Sequence, residues 1–217
     1  MPRLARRHQW AEFQHVVNRA SVRAKLFHAP SDYDLFVGLL ARAVEKFELP
    51  LMAYCVMPNH WHLVVASVSA CELSRSMQWL TGVHAMRWCR DHPRRGPGPV
   101  YQDRFRSIPV QAGISLHRVL RYVERNAAAA QLTARAEDWR WSSAHQRLQN
   151  CNGPKLRAIE LLPTEDWFRY LNEPTLSPDI AYAIRRNLPV GDEAWVRSRR
   201  EALGLPEPRR RGRPCKA

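Results

Sequence analysis

A chain of 217 residues with 45% hydrophobic content can build one packed domain plus an extension, or two small domains. Lys and Arg number 34 against 20 Asp and Glu, a formal net charge of +14, which favours a polyanionic partner, most often nucleic acid. The five cysteines stand singly, which excludes zinc-finger and thioredoxin patterns and argues against a disulfide framework, and no apolar run nears the ~20 residues that span a bilayer.

The N-terminus, Met1 to Trp10, is a basic arm without the apolar centre of a signal peptide, so the chain reads as soluble and intracellular. Phe13 to Asn18 is β-prone and is expected to form the first strand. A loop with Arg19, Arg23 and Lys25 follows. Ser31 is the expected N-cap of an amphipathic helix whose stripe is Leu35, Leu39, Ala43 and Phe47, ending near Pro50. Leu51 to Met57 is apolar on both faces, as expected of a central strand. Pro58-Asn59 makes a turn into a hairpin partner, His60 to Ser67. In an extended strand side chains alternate. His60, His62, Val64 and Ala66 therefore share one face, and Trp61, Leu63 and Val65 share the other.

A second helix is expected from about Glu72 to Asp91, a breaker-rich basic loop over His92 to Pro99, and a strand closing the run from Val100 to Val110. A third helix is expected from Ile114 to Leu132, with the stripe Leu116, Val119, Leu120, Val123, Ala127 and Ala130. The order β-α-β-β-α-β-α predicts an α+β fold, a ferredoxin-like antiparallel sheet with packed helices. Trp139-Arg140-Trp141-Ser142-Ser143 is expected to cap the core. Residues 1–150 then form the main domain. Residues 151–217 form a helical, basic extension with a disordered tail.

Two imidazoles at i and i+2 on one strand face can converge on one metal ion, and they need a third ligand and a reactive group. The third helix offers both. Tyr122 and Asn126 lie one turn apart beside its core stripe, with Arg118, Arg121 and Arg125 on the flank. If that helix packs beside the strand, Asn126 completes a His-His-Asn metal site and Tyr122 hangs above it. A free phenol titrates near ~10 and is a weak nucleophile at neutral pH. A metal that polarises a phosphate oxygen offsets this weakness. Each feature has a plain structural counterpart: an accidental H-x-H, an amphipathic tyrosine, a capping asparagine. Their joint presence in a basic chain favours the site. His8, His15, His28, His84, His92, His117 and His145 are unpaired at short spacing and read as surface or core residues.

The string Tyr54-Cys55-Val56-Met57-Pro58-Asn59-His60-Trp61-His62-Leu63-Val64 resembles the HUH segment of the REP-associated tyrosine transposases, relatives of the single-strand insertion-sequence transposases. Arg104-Phe105-Arg106-Ser107, Arg121 to Asn126 and Trp139 to Ser143 resemble further blocks of that family, so the likeness covers most of the chain. It implies an HUH nuclease domain and a divalent metal, Mg²⁺ or Mn²⁺. His60, His62 and Asn126 would be the ligands and Tyr122 the nucleophile. The implied activity is cleavage and rejoining of single-stranded DNA hairpins, through a 5′-phosphotyrosine and a free 3′-OH. Arg19, Arg104, Arg106, Arg118, Arg121 and Arg125 are the expected DNA contacts, in a cytoplasmic, nucleoid-associated monomer or homodimer. Family members often follow the asparagine with Pro and a basic, Gly-containing segment, whereas four alanines follow Asn126 here. A DNA-binding protein that no longer cuts is the alternative. Arg211-Gly212-Arg213-Pro214 resembles the core of an AT-hook, or is a generic basic tail. A metal hydrolase acting on small molecules is a weak third reading, since barrel-type H-x-H hydrolases need roughly 250 residues in alternating β/α order.

Overall fold

The computed structural model describes residues 12–21, 25–66, 69–92, 98–158, 163–174 and 178–204. The chain runs β1 (Phe13–Arg19), α1 (Pro30–Lys46), β2 (Leu51–Met57), β3 (His60–Ala66), α2 (Ala70–Asp91) and β4 (Arg106–Val110). The strands form one sheet in the order β2-β3-β1-β4, every neighbour antiparallel. This is the expected ferredoxin-like arrangement. Alternation along β3 divides the core as the pattern implies. Trp61, Leu63 and Val65 join Phe36, Leu39 and Leu40 of α1 and Met77 and Leu80 of α2 on one face. Val64 and Ala66 meet α3 (Ile114–Glu124) on the other, through Leu116, Val119, Leu120 and Val123. Each such fully buried side chain contributes roughly 1.5–3 kcal/mol of transfer free energy.

Local details depart from expectation in four places. The first helix starts at Pro30 behind Ala29, not at Ser31. Proline presets the first helical φ, and Asp32 Oδ2 accepts the His28 and Ala29 N–H groups at 2.7 and 3.0 Å. The second helix starts at Ala70. Ser69 caps it reciprocally with Glu72: Glu72 N–H donates to Ser69 Oγ and Ser69 N–H donates to Glu72 Oε2, both at 3.1 Å.

The third departure is β2, which is an edge strand rather than a central one. It is buried throughout because the later chain covers its outer edge. Val56 N–H donates to Trp141 O at 3.0 Å, Trp139 Nε1 donates to Val56 O at 2.8 Å, and Arg157 N–H donates to Leu51 O at 2.6 Å. The Trp-Arg-Trp-Ser-Ser block thus closes a sheet edge as well as the core. The opposite edge is covered too: Val190 N–H donates to Pro109 O, and Gln111 N–H donates to Val190 O, both at 2.9 Å.

Fourth, the helix expected to reach Leu132 ends at Glu124 and is followed by α4 (Asn126–Ala129). Ala129 and Ala130 are exposed and Leu132 is 41% exposed, so little burial would reward a longer helix. Gln131 takes a positive φ of 57°, and Leu132 N–H donates to Ala127 O at 3.0 Å.

The chain continues through α5 (Ser143–Gln149), α6 (Thr164–Asn172), α7 (Pro178–Arg186) and α8 (Glu193–Leu203). Trp167, Phe168, Leu171, Ile180, Ile184 and Val190 complete the apolar cluster on the α3 side of the sheet. Glu124 on α3 ties these helices together. Its carboxylate accepts from Ser143 Oγ at 2.6 Å, Trp167 Nε1 at 2.9 Å and Arg147 Nε at 3.1 Å. Among the described residues no helix is long and apolar enough to cross a membrane.

Candidate active site

Sheet register assembles the site. Arg19 pairs opposite His60 and Val17 opposite His62 across β1 and β3, and Val17 pairs opposite Arg106 across β1 and β4. Directly opposed residues share a face. His15, Arg19, His60, His62 and Arg106 therefore point to the α3 side, where Tyr122 waits.

The His60 and His62 rings lie 4.8 Å apart, centroid to centroid, nearly perpendicular. The Tyr122 ring stands edge-on to His62 at 5.8 Å and to His15 at 6.3 Å. The Asn126 amide lies close enough to both His60 and Tyr122 to bias their protonation. One chain thus brings together all four residues singled out from the sequence.

The outer nitrogens of the two imidazoles are already engaged. His60 Nδ1 lies 2.6 Å from Asn59 Oδ1, and His62 Nδ1 lies 2.9 Å from His15 Nε2. His62 Nε2 is buried with no hydrogen-bond partner among the described residues. Burial, reinforced by Arg19, lowers the His60 pKa to about 4, against the Asn126 hydrogen bond. His62 is lowered well below its ordinary value by burial, then by the neighbouring histidines and arginines. Both rings are neutral at pH 7, the form that can ligate a cation. Burial also raises the Tyr122 phenol above its usual value, while the Asn126 hydrogen bond and the charges of Arg185, Arg19 and Arg106 pull it down.

A groove of about 690 Å³ is lined by Arg19, Arg104, Arg106 and Arg185 with one carboxylate, Asp103, and two of these arginines, Arg19 and Arg106, share the histidine face of the sheet. Arg106 Nη1 donates to the Arg185 carbonyl at 3.3 Å, linking β4 to α7. Three expected DNA contacts, Arg19, Arg104 and Arg106, meet here. The flank of α3 does not join them, because it faces the C-terminal helices. Arg118 pairs with Asp179 at 2.6 Å. Arg121 is buried and donates to the Tyr170 and Glu173 carbonyls, each at 2.6 Å. Arg125 is half-buried, its Nε lacking a partner among the described residues. Arg211 and Arg213, with the N-terminal arm, lie outside the described residues.

Sequence reasoning missed His15 and Arg185. His15 shares a two-residue period with Arg19, and pairing β1 with β3 in this register would have placed it next to His62. Nothing local marks Arg185, which reaches the groove only because Ile180 and Ile184 anchor α7 in the core.

The donor set suits a divalent cation. It has two neutral imidazoles, an unpartnered buried nitrogen on His62 and an adjacent amide. No group of three or more His, Cys, Asp or Glu side chains among the described residues could hold a metal by itself. A cation here would therefore rest on His60, His62 and Asn126 and take its remaining ligands from water and phosphate.

A family model described as "Transposase IS200 like" matches residues 9–126. A solved structure described as a REP-associated tyrosine transposase bound to a REP hairpin covers 82% of this chain and 100% of its own, with a TM-score of 0.54 at 13% identity. At that identity the likeness is one of fold. A putative transposase from Deinococcus radiodurans covers 57% of this chain and 95% of its own, at 18% identity and a TM-score of 0.40. No curated protein sequence matches the chain.

Proposed function

We propose that this chain, which belongs to the IS200-like transposase family, cleaves and rejoins single-stranded DNA at palindromic hairpins. The observation that carries the reading is the convergence of Tyr122, His60, His62 and Asn126 on a sheet face that also carries Arg19 and Arg106, two of the arginines that line a groove. The hairpin enters as ligand because the solved relative of this fold is described with one bound.

Arg19, Arg104, Arg106 and Arg185 grip phosphates on either side of the scissile bond, as charge-assisted donors to backbone oxygens. Asn59 and His15 hold the two imidazoles by their Nδ1 atoms, so each Nε2 faces the site. A divalent cation, Mg²⁺ or Mn²⁺, held there by His60, His62 and Asn126 would polarise a phosphate oxygen and offset its charge. Tyr122 Oη attacks phosphorus and the P–O3′ bond breaks. The product is a 5′-phosphotyrosine and a free 3′-OH, with the phenolic proton passing on balance to the departing 3′ oxygen. The phosphodiester energy is retained in the tyrosyl ester, so a 3′-OH can attack it and rejoin the strand.

The test uses labelled hairpin DNA with Mg²⁺ or Mn²⁺ and a denaturing gel. Wild-type protein forms a covalent adduct and a Tyr122→Phe variant does not. Cleavage that persists in the variant removes Tyr122 from the chemistry. A second reading, hairpin binding without cleavage, draws on the run of alanines after Asn126, which forms the short α4 and presents no cation to DNA. It predicts salt-dependent binding and no adduct with any hairpin.

A further inference from the structure

We infer that His15 is a positioning residue for cation binding: it sets the tautomer and orientation of His62. The inference rests on the metal reading proposed above.

His15 Nε2 and His62 Nδ1 are 2.9 Å apart. Both side chains are buried, at 0% and 3% exposure, with their rings stacked at 5.0 Å and 24°. A bond between two ring nitrogens holds one proton, so a neutral pair has two arrangements. In the first, His62 Nδ1–H donates to His15 Nε2. The lone pair of His62 Nε2 then faces the site, and the second proton sits on His15 Nδ1. In the second, His15 Nε2–H donates to His62 Nδ1. His62 Nε2 then carries a proton and cannot be a ligand.

Both outer atoms, His62 Nε2 and His15 Nδ1, are buried without partners among the described residues. Each arrangement therefore leaves one N–H and one lone pair unsatisfied, at a cost of roughly 1–3 kcal/mol per group. A phenylalanine at position 15 would leave His62 Nδ1 without its partner as well as Nε2. What distinguishes the arrangements is a cation at His62 Nε2, which removes one unsatisfied atom and selects the first. His15 is then the acceptor that fixes the ligand's ring and raises its basicity, as the partners of metal-bound histidines do. His60 has its own fixed acceptor, Asn59 Oδ1, 2.6 Å from its Nδ1. The two proposed ligands are thus held alike by different residues.

The experiment titrates Mn²⁺ alone into wild-type, His15→Phe and His15→Gln proteins, following free Mn²⁺ by electron paramagnetic resonance. Glutamine places an acceptor oxygen close to where His15 Nε2 stands. We expect His15→Phe to lose about 10- to 100-fold in Mn²⁺ affinity and His15→Gln to regain most of it. Mn²⁺ affinity unchanged in a His15→Phe protein with wild-type circular dichroism overturns the inference. Should the phenylalanine variant not fold, ¹⁵N-histidine NMR of Mg²⁺-saturated wild type decides. A proton on His62 Nδ1 supports the inference, and one on Nε2 overturns it. Wild-type protein that binds neither Mn²⁺ nor Mg²⁺ overturns the metal reading itself, a failure visible before any variant is made.

Discussion

The side-chain amide of Asn126 stands one helical turn beyond Tyr122 along the chain, close enough to the phenol to favour its ionised form. The same amide reaches His60, so one residue links the proposed nucleophile to a proposed ligand. Its hydrogen bond opposes the burial that raises the phenol's pKa. Replacing it with alanine removes that opposition and moves Tyr122 further from its reactive phenolate form. It also removes an amide from the proposed cation site. An Asn126→Ala variant is expected to cleave hairpin DNA about 10- to 100-fold more slowly, with hairpin binding little changed. Single-turnover adduct formation across a pH series measures this. A wild-type rate in the variant would leave Asn126 outside the chemistry.

Arg185 and Arg121 separate groove from scaffold. Arg185 is exposed at the groove, on a helix beyond the residues matched by the family model. Arg185→Ala should fold normally, weaken hairpin binding, and reduce the slope of log K against log salt by about 0.7, the share of one phosphate contact on a single strand. Arg121 donates to two carbonyls near the end of α6 and is buried. Arg121→Ala should leave the salt slope alone and cost about 2–4 kcal/mol in urea denaturation, since hydrogen bonds from charged donors are the stronger kind. The reverse assignment of effects would mean that α3 presents its arginines to DNA after all.

Glu124 carries a second stability prediction. Its carboxylate is fully buried, whereas the Arg147 side chain it pairs with at 3.1 Å is 21% exposed. Glu124→Ala leaves the Trp167 indole N–H and Arg147 Nε without their acceptor and the guanidinium without its counter-charge, whereas Ser143 Oγ keeps the Tyr54 carbonyl at 3.2 Å and Arg147 Nη2 keeps the Met52 carbonyl. Breaking a buried pair from one side typically costs ~3–5 kcal/mol. Urea denaturation should show a loss of that size. Glu124→Gln, which keeps an acceptor for Trp167 and Ser143, should lose less. Equal losses in the two variants would assign the effect to charge alone.

What could be read from the chain was what local pattern encodes. Pro58-Asn59 between two apolar runs marks the hairpin, alternation puts His60 and His62 together, and helical spacing puts Tyr122 beside Asn126. What could not be read was what distant chain supplies. An edge strand covered by residues 139–157 has the same apolar pattern as a central strand, so β2 looked central. Arg121 looked like a solvated flank because the carbonyls it serves come from α6, far along the chain. His15 is a lone histidine until the β1–β3 register is known. Arg185 sits on a short helix whose place is set by two isoleucines in a core built mostly by earlier elements.

Acid should destabilise the fold through His84 as well as through the site histidines. His84 is fully buried behind the sheet face that carries Trp61. The Tyr101 hydroxyl lies 2.9 Å from its Nδ1 and accepts the Trp61 indole N–H at 3.3 Å. Burial lowers the His84 pKa to about 4, with the charge of Asp32 opposing and that of His92 adding to the shift. The unfolded chain takes up this proton near ~6.5. Between those values the unfolded state binds more protons than the folded one. Stability from this residue is therefore complete above the unfolded value and is lost as pH falls through the window towards the folded value. One group with a shift of that size contributes about 3 kcal/mol. His15, buried and lowered to about 3 by burial and Arg106, acts with the same sign. The wild-type loss therefore exceeds that of any single histidine. A His84→Phe variant fills the same apolar surround without a titrating group. Its urea stability should fall between pH 7 and 4.5 by less than that of wild type, and the difference isolates His84. If both proteins lose stability in parallel, the proton that unfolds the chain binds at the site face of the sheet, where His15, His60 and His62 lie.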